Sequence, residues 1–188
     1  MVPHRIAVAL CVGWSWASAA AETTVRFDPA RTTIEFTLAD VLHTVHGTFK
    51  LKSGLIQYDP ATGKARGSLV IDATSGDSGS AARNRRMHAS ILESRRYPEI
   101  AFTPDRVSGN VALDGASNVQ VHGQFRIHGA DHELTLPFAL RTGAGFVTAA
   151  TQFLVPYVRW GMKNPSTFLL KVNDAVEINI RTTGVLEH

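Results

Sequence analysis

Apolar and polar residues alternate along most of this 188-residue chain, and this alternation constrains the fold more than any other feature. The clearest run is apolar or small at every second position from Val119 to Ile127, with a polar residue between each pair. A period of two puts alternate side chains on opposite faces of a β-strand. The chain is therefore predicted to be all-β, with eight to ten half-buried strands. The other alternating runs are Val25–Phe27, Ile34–Leu38, Val45–Leu51, Leu69–Ile71, Leu134–Leu140 and Val176–Ile180.

One segment, Gly79–Glu93, breaks this rhythm and places its apolar residues at helical spacings. Ser78 or Ser80 is a candidate N-cap, and Tyr97-Pro98 ends the helix because proline disfavours helical backbone in the residue before it. Since closing an antiparallel sheet removes its exposed edges, we expect the strands to form an antiparallel barrel with one inserted helix. A β-sandwich is the main structural alternative.

The first 21 residues have the pattern of a cleaved secretory signal. Arg5 precedes an apolar run, Ile6–Trp16, which is too short to be a stable membrane span, and small residues follow up to Ala21. We expect one domain, residues 22–188, located in the periplasm. Cys11 is the chain's single cysteine, so that domain has no disulfide, no thiolate metal ligand and no cysteine nucleophile.

The charge balance excludes one class of partner. Nineteen basic and sixteen acidic residues give a formal charge of +3, which is too small an excess to indicate nucleic-acid binding. Five arginines do cluster on or beside the helix. They indicate either a solvated helix face or a surface in transient contact with anionic membrane headgroups. These residues are Arg83, Arg85, Arg86, Arg95 and Arg96.

The histidines give no metal-binding pattern. His43 and His46 are three residues apart on a strand and so face opposite sides, while His122 and His128 share a face about 20 Å apart. A zinc site needs three or four converging ligands. No phosphate-binding or dinucleotide-binding loop occurs either, so we predict neither a metal nor a cofactor.

Gly76-Asp77-Ser78-Gly79 resembles the nucleophile motif of trypsin-like serine proteases. A serine hydrolase would need a base, from His43 or His46, and an orienting carboxylate such as Asp59 or Asp72. Too little chain precedes Ser78 to build the two barrels of such a protease. The hydrolase therefore stays an alternative to the prediction that the protein is not an enzyme.

Three stretches together resemble the YceI-like family of periplasmic, lipocalin-like, polyisoprenoid-binding proteins. They are His43–Phe49, the helix Arg83–His88 followed by Tyr97–Phe102, and Gly123–Gly129 leading into Leu134–Pro137. Tyr157–Met162 is a weaker fourth match, and the resemblance covers about residues 23–182, which is nearly all of the expected mature chain. Asn84 is a departure, because many relatives carry an acid there.

The resemblance implies an eight-stranded antiparallel, lipocalin-like barrel with the inserted helix near its mouth. It also implies a long apolar cavity for an isoprenoid quinone or a polyprenyl phosphate. It leaves the oligomeric state open. The second alternative is a solid barrel that acts as an interaction module through its basic helix. Candidate headgroup contacts are His43, Arg83, Arg86 and Arg159. Candidate apolar wall residues are Phe36, Leu38, Val45, Phe49, Leu69, Met87, Leu92, Phe102, Phe125, Phe153 and Tyr157.

Overall fold

The computed structural model describes residues 22–39, 44–166 and 171–187. They form nine antiparallel strands, one short helix and several tight turns. In chain order the strands are β1 (Thr23–Phe27), β2 (Thr33–Ala39), β3 (Thr44–Tyr58), β4 (Ala65–Asp77), β5 (Glu99–Ser108), β6 (Gly115–Ile127), β7 (Ala130–Gly143), β8 (Phe146–Val155) and β9 (Val176–Glu187). The helix α1 (Ala81–Arg86) continues into a π-helical turn over Met87–Ile91.

The strands close into a barrel with eight positions around its circumference. β3 to β9 each fill one position, and β3 pairs with β4 and so on round to β9. β1 and β2 share the remaining position, because both pair with β3 on one side and β9 on the other. The predicted eight-stranded antiparallel barrel is therefore confirmed, with its first strand divided in two.

The division between β1 and β2 has a local cause. Pro29 begins a 3₁₀ turn, Pro29–Arg31, where the missing proline N–H removes a donor that a strand would need. Asp28 caps this turn by accepting a hydrogen bond from the Ala30 N–H at 2.8 Å. The Thr32 hydroxyl donates to the Asp28 carbonyl at 2.7 Å, and the chain then returns to the sheet.

The hairpin between β6 and β7 explains part of the motif pattern in the sequence. Its two turn residues, His128 and Gly129, both have positive φ, at 52° and 75°, as a tight hairpin with the twist of its strands requires. A Cβ on Gly129 would lie 2.4 Å from the Tyr97 ring. Tyr97 also packs against the His128 ring, whose Nε2 bonds Glu93 at 2.7 Å. These motif residues therefore join the segment after the helix to the hairpin.

The helix is tied to the end of β4 by side-chain hydrogen bonds. Ser80 holds the N-cap position but makes no capping bond; instead Asn84 Oδ1 accepts from both the Ser78 N–H and its hydroxyl. Asn84 Nδ2 donates to Asp77 at 2.8 Å, which an acidic residue at position 84 could not do. His88 Nε2 bonds the Gly76 carbonyl at 2.9 Å. No described helix is long and apolar enough to cross a bilayer.

The antiparallel order places the helix at one defined end of the barrel. β2, β4, β6 and β8 finish at this end, and β3, β5, β7 and β9 start there. We call it the mouth end. The helix segment 78–98 and the segment after β8 both lie there, which confirms the predicted position of the inserted helix. The opposite end carries the turns after β3, β5 and β7.

Candidate functional site

A cavity of about 260 Å³ lies inside the barrel and opens at the mouth end. This volume is close to the lower limit of about 300 Å³ for small-molecule sites. Its wall is built from inward-facing residues of seven strands, from the helical segment and from the segment after β8. Twenty of the twenty-four wall residues are apolar.

Most of the residues predicted from the sequence to line a cavity do lie in its wall. The aromatic members come from four strands and from the segment after β8, so they surround the space rather than fill one side of it. The predicted residues found in the wall are Phe36, Leu38, Val45, Phe49, Arg83, Arg86, Met87, Leu92, Phe125, Phe153 and Tyr157.

Three predicted residues lie outside the wall, and a fourth is not described. Leu69 and Phe102 face each other across β4 and β5 and pack in the apolar core, where Phe102 is only 6% exposed. Both point inward, but the space beside them is filled by other side chains. Arg159 is exposed and does not contact the cavity. His43 lies outside the described residues.

The wall also contains residues that the sequence analysis did not propose. Ile34, Ile178 and Ile180 belong to alternating runs, so the period of two would have included them. Pro165 and Val172 belong to the irregular segment after β8, where no sequence period indicates which side chains face inward. The other additions are Ile71, Ser78, Ile91, Ile100, Ile127, Val155, Met162 and Val176.

The polar part of the wall is confined to one side of the mouth. It consists of Ser78, Arg83 and Arg86, from the end of β4 and from α1. Arg83 Nη2 donates to the Ser78 carbonyl at 2.9 Å, which fixes the guanidinium at the rim. No carboxylate lies in the described cavity wall. The site is therefore apolar inside and positively charged at its entrance.

Tyr157 adds an aromatic ring to the wall without adding a charge. Its hydroxyl donates to the Asn173 carbonyl at 2.7 Å. Burial, and secondarily the nearby Asp174 carboxylate, raises the pKa of Tyr157 to about 12. The phenol therefore stays neutral at physiological pH, and its polar atom is already satisfied.

An aromatic cluster supports the wall between β6 and β8. The Phe125 ring lies 5.9 Å from both the Phe153 and the Trp160 rings, measured between centroids. Trp160 stacks on His132 at 3.9 Å. Burial lowers the pKa of His132, which favours the neutral ring in this stack. Trp160 is the one tryptophan after residue 21, so it is a natural fluorescent reporter for the cavity.

Two glycines allow aromatic and methionine side chains to approach the strands closely. A Cβ on Gly47 would lie 2.2 Å from the Phe36 ring, and a Cβ on Gly76 would lie 2.6 Å from the Phe49 ring. The Phe36 and Phe49 rings are themselves 5.4 Å apart. The missing side chains therefore let these two rings approach the backbone of β3 and β4 closely.

The structure gives the serine hydrolase alternative no catalytic arrangement. Ser78 is buried, and its hydroxyl donates to Asn84 Oδ1 at 2.7 Å and is approached by Arg83 Nε at 3.4 Å. In the described part of the chain no histidine bonds this hydroxyl, so the general base that the mechanism requires is missing there. The described residues likewise contain no group of three or more histidine, cysteine or acidic residues that could hold a metal ion.

A closed antiparallel barrel with an apolar interior and a polar entrance defines the class of protein: a lipocalin-like barrel. Residues 26–184 match the family model of the YceI-like domain. The chain therefore belongs to the YceI-like family. No curated protein sequence matches it significantly.

Solved structures share this fold at low sequence identity. The Burkholderia cenocepacia protein BcnA is 16% identical, with a TM-score of 0.68 over 84% of this chain and 98% of its own. A polyisoprenoid binding domain from Saccharophagus degradans, implicated in plant cell wall breakdown, is 17% identical, with a TM-score of 0.68 over 87% and 98%. The Campylobacter jejuni YceI protein is 16% identical, with a TM-score of 0.62 over 78% and 87%.

Proposed function

We propose that this protein binds an isoprenoid lipid in its barrel cavity, without catalysis, and carries, stores or sequesters that lipid in the periplasm. The observation that carries the proposal is the contrast within the cavity wall: twenty apolar residues, and a polar edge of Ser78, Arg83 and Arg86 at the mouth. Sites for amphiphiles are mostly apolar with a few polar groups that fix orientation. The similar domain from Saccharophagus degradans is described as polyisoprenoid binding.

The apolar tail supplies the driving force for binding. Each CH₂-sized group moved from water into the cavity contributes about 0.8 kcal/mol. Ile34, Phe36, Phe49 and Ile178 lie deep in the wall and would contact the tail. Because the cavity holds about 260 Å³, we expect affinity to rise with tail length only until this space is full. The rest of a longer tail would extend through the mouth.

The headgroup would lie at the mouth, beside Arg83 and Arg86. A guanidinium can donate two parallel hydrogen bonds to a phosphate, and only single bonds to a quinone carbonyl. With no carboxylate in the described wall, the two arginines favour a phosphate or another anionic head. The hollow cavity also argues against the alternative of a solid barrel that acts only as an interaction module.

Native mass spectrometry of protein purified from cells tests the proposal. We expect a population heavier than the bare chain, and uptake of a polyprenyl phosphate or a quinone by protein stripped of lipid. A quinone in the cavity should also quench the fluorescence of Trp160, which contacts the wall residue Phe125. Bare protein from cells that takes up neither compound would refute lipid binding.

A matched pair of variants separates the cavity from the barrel surface. Val45 is a wall residue of β3, and Thr48 is exposed on the outer face of the same strand. Val45→Trp should block the cavity and weaken lipid uptake at least tenfold, whereas Thr48→Trp should leave it unchanged. Equal uptake by both variants would place the ligand outside the barrel.

A further inference from the structure

The charge of this protein is distributed unevenly between its two ends. The mouth-end stretches 78–98, 156–166 and 171–175 carry eight basic and two acidic residues. The remaining described residues carry ten basic and thirteen acidic residues. The small net charge of the whole chain therefore conceals a strongly basic end. We call its exposed cations the basic rim: Arg83, Arg85, Arg86, Arg95, Arg96, Arg159, Lys163 and Lys171.

The basic rim differs from the barrel wall in how its charges are satisfied. Of the ten described cations outside the rim, four form close ion pairs with carboxylates, all on the strands of the wall. Among the described residues, no carboxylate lies within ion-pair distance of any rim cation. The wall pairs are Arg26 with Glu187 at 2.8 Å, Lys52 with Glu99 at 2.6 Å, Arg66 with Glu22 at 2.6 Å, and Arg126 with Asp131 at 2.7 Å.

The acidic groups near the rim are already engaged by neutral or local partners. Asp77 accepts hydrogen bonds from Asn84 and from the Gly79 N–H, both at 2.8 Å. Asp174 accepts from Asn164 at 2.6 Å, and Glu93 bonds His128. The rim therefore presents its positive charge to an external partner.

The position of the rim indicates what that partner is. Arg83 and Arg86 belong both to the rim and to the cavity wall, so the charged surface borders the cavity opening. Among the exposed large apolar side chains of the described residues, Leu154, at the mouth end of β8, is the one near the rim, and it is 62% exposed. The rim is thus suited mainly to an electrostatic contact with a polar, anionic surface, with a single apolar side chain beside it.

We propose that the mouth end docks on the anionic surface of a phospholipid bilayer, with the cavity opening towards the lipid. A bilayer is a plane of phosphates, and it matches cations that come from two separate segments around one opening. Each lysine or arginine near such a surface strengthens binding by roughly fivefold. The attraction acts over about 8 Å at physiological ionic strength, so added salt should reverse it.

Vesicle flotation tests the docking. Protein expressed from residue 22 should float with vesicles that contain about a quarter phosphatidylglycerol in phosphatidylcholine, and should not float with phosphatidylcholine alone. Salt should release it. The paired substitution Arg85→Gln and Arg95→Gln removes two rim cations outside the cavity wall, and should weaken partitioning by roughly tenfold or more.

The control removes two exposed cations from the opposite end of the barrel. Lys64→Gln with Arg141→Gln changes the net charge equally, at positions that are also exposed. This control should leave partitioning within about twofold of the unmodified protein. Equal losses in the two double variants would show that net charge alone governs binding, and would overturn docking by the mouth end.

Single fluorescent labels test the orientation, since the chain has no cysteine after Cys11. Ala82 lies on α1 and Ala61 lies in the turn between β3 and β4, and both are exposed. A polarity-sensitive dye on Ala82→Cys should shift to shorter wavelength on anionic vesicles, and the same dye on Ala61→Cys should not. The reverse result would refute the orientation. Because these vesicles contain no isoprenoid, the outcome is independent of the test for lipid uptake.

Discussion

The two ends of the barrel share the same strands but are built differently. Towards the mouth, inward side chains such as Phe36 and Phe153 leave a cavity between them. On β4 and β5, Ile71 and Ile100 line this cavity, and two residues further from the mouth Leu69 and Phe102 pack into the core. The outer surface also differs: four of the ten described cations outside the rim form ion pairs with carboxylates, and none of the eight rim cations does so with a described carboxylate.

This difference assigns folding stability mainly to one half of the barrel and ligand binding mainly to the other. A protein interior packed without voids supplies most of the free energy of folding, while an open cavity gives up contacts that could have stabilised the fold. A barrel that keeps one half packed can leave the other half open. The packed half should therefore dominate the free energy of unfolding, and the mouth half should dominate binding.

The largest expected effect is on the free energy of unfolding, and it is measured by replacing one phenylalanine from each half. Phe102→Ala removes a ring from the packed core and should lower the free energy of unfolding by about 3–5 kcal/mol. Phe49→Ala removes a ring that already borders empty space, and should cost less than half as much. Urea denaturation of the two variants checks this. Equal losses would mean that the mouth half is as tightly packed as the core.

A smaller effect is expected from the glycine that accommodates Phe36. Gly47→Ala places a methyl group against the Phe36 ring and the Asp77 carbonyl, and should cost about 1–3 kcal/mol. It should also weaken lipid uptake, because the displaced ring enters the cavity. Gly143→Ala is the control, since the added methyl would meet only the flexible carboxylate of Asp114. Unfolding curves and quinone quenching of Trp160 give the two readouts.

The smallest effect concerns a histidine on the outer wall. His122, on β6, bonds Asp105 at 2.7 Å and Glu133 at 2.9 Å, and its side chain is 22% exposed. The hydrogen bond to Asp105, followed by that to Glu133, raises the pKa of His122. Protonation of His122 is therefore more favourable in the folded protein than in the unfolded chain, and so it stabilises the fold. Its contribution is complete below the unfolded pKa of about 6.5, and is lost as the pH rises through the folded pKa.

His122→Asn should accordingly reduce stability most at acidic pH, and least above the folded pKa. Chemical denaturation of both proteins across this range measures the difference, and NMR titration measures the pKa directly. Glu133→Gln should bring the pKa of His122 closer to its ordinary value. A variant whose loss of stability grew with rising pH would contradict the assigned sign.

The sequence determined the features that depend on local pattern. The period of two in residues 119–127 indicates which side chains face inward, and the change of period at Gly79–Glu93 indicates the helix. The alternation is independent of neighbouring strands, because successive side chains of any strand point to opposite faces. It therefore predicted both the barrel and most of its inward-facing aromatic residues.

Only the tertiary structure decided how far along the axis each inward residue lies and what stands opposite it. Phe102 and Phe125 are direct partners across β5 and β6, yet Phe125 borders the cavity and Phe102 does not. Register partners lie at about the same height in the barrel, so what packs on each ring sets that difference: Phe125 lies against Phe153 and Trp160, and Phe102 lies beside Leu69 in the core. Period two encodes the face of a strand and carries no information about the side chains opposite, so the boundary between the hollow and packed parts arises only when the barrel closes.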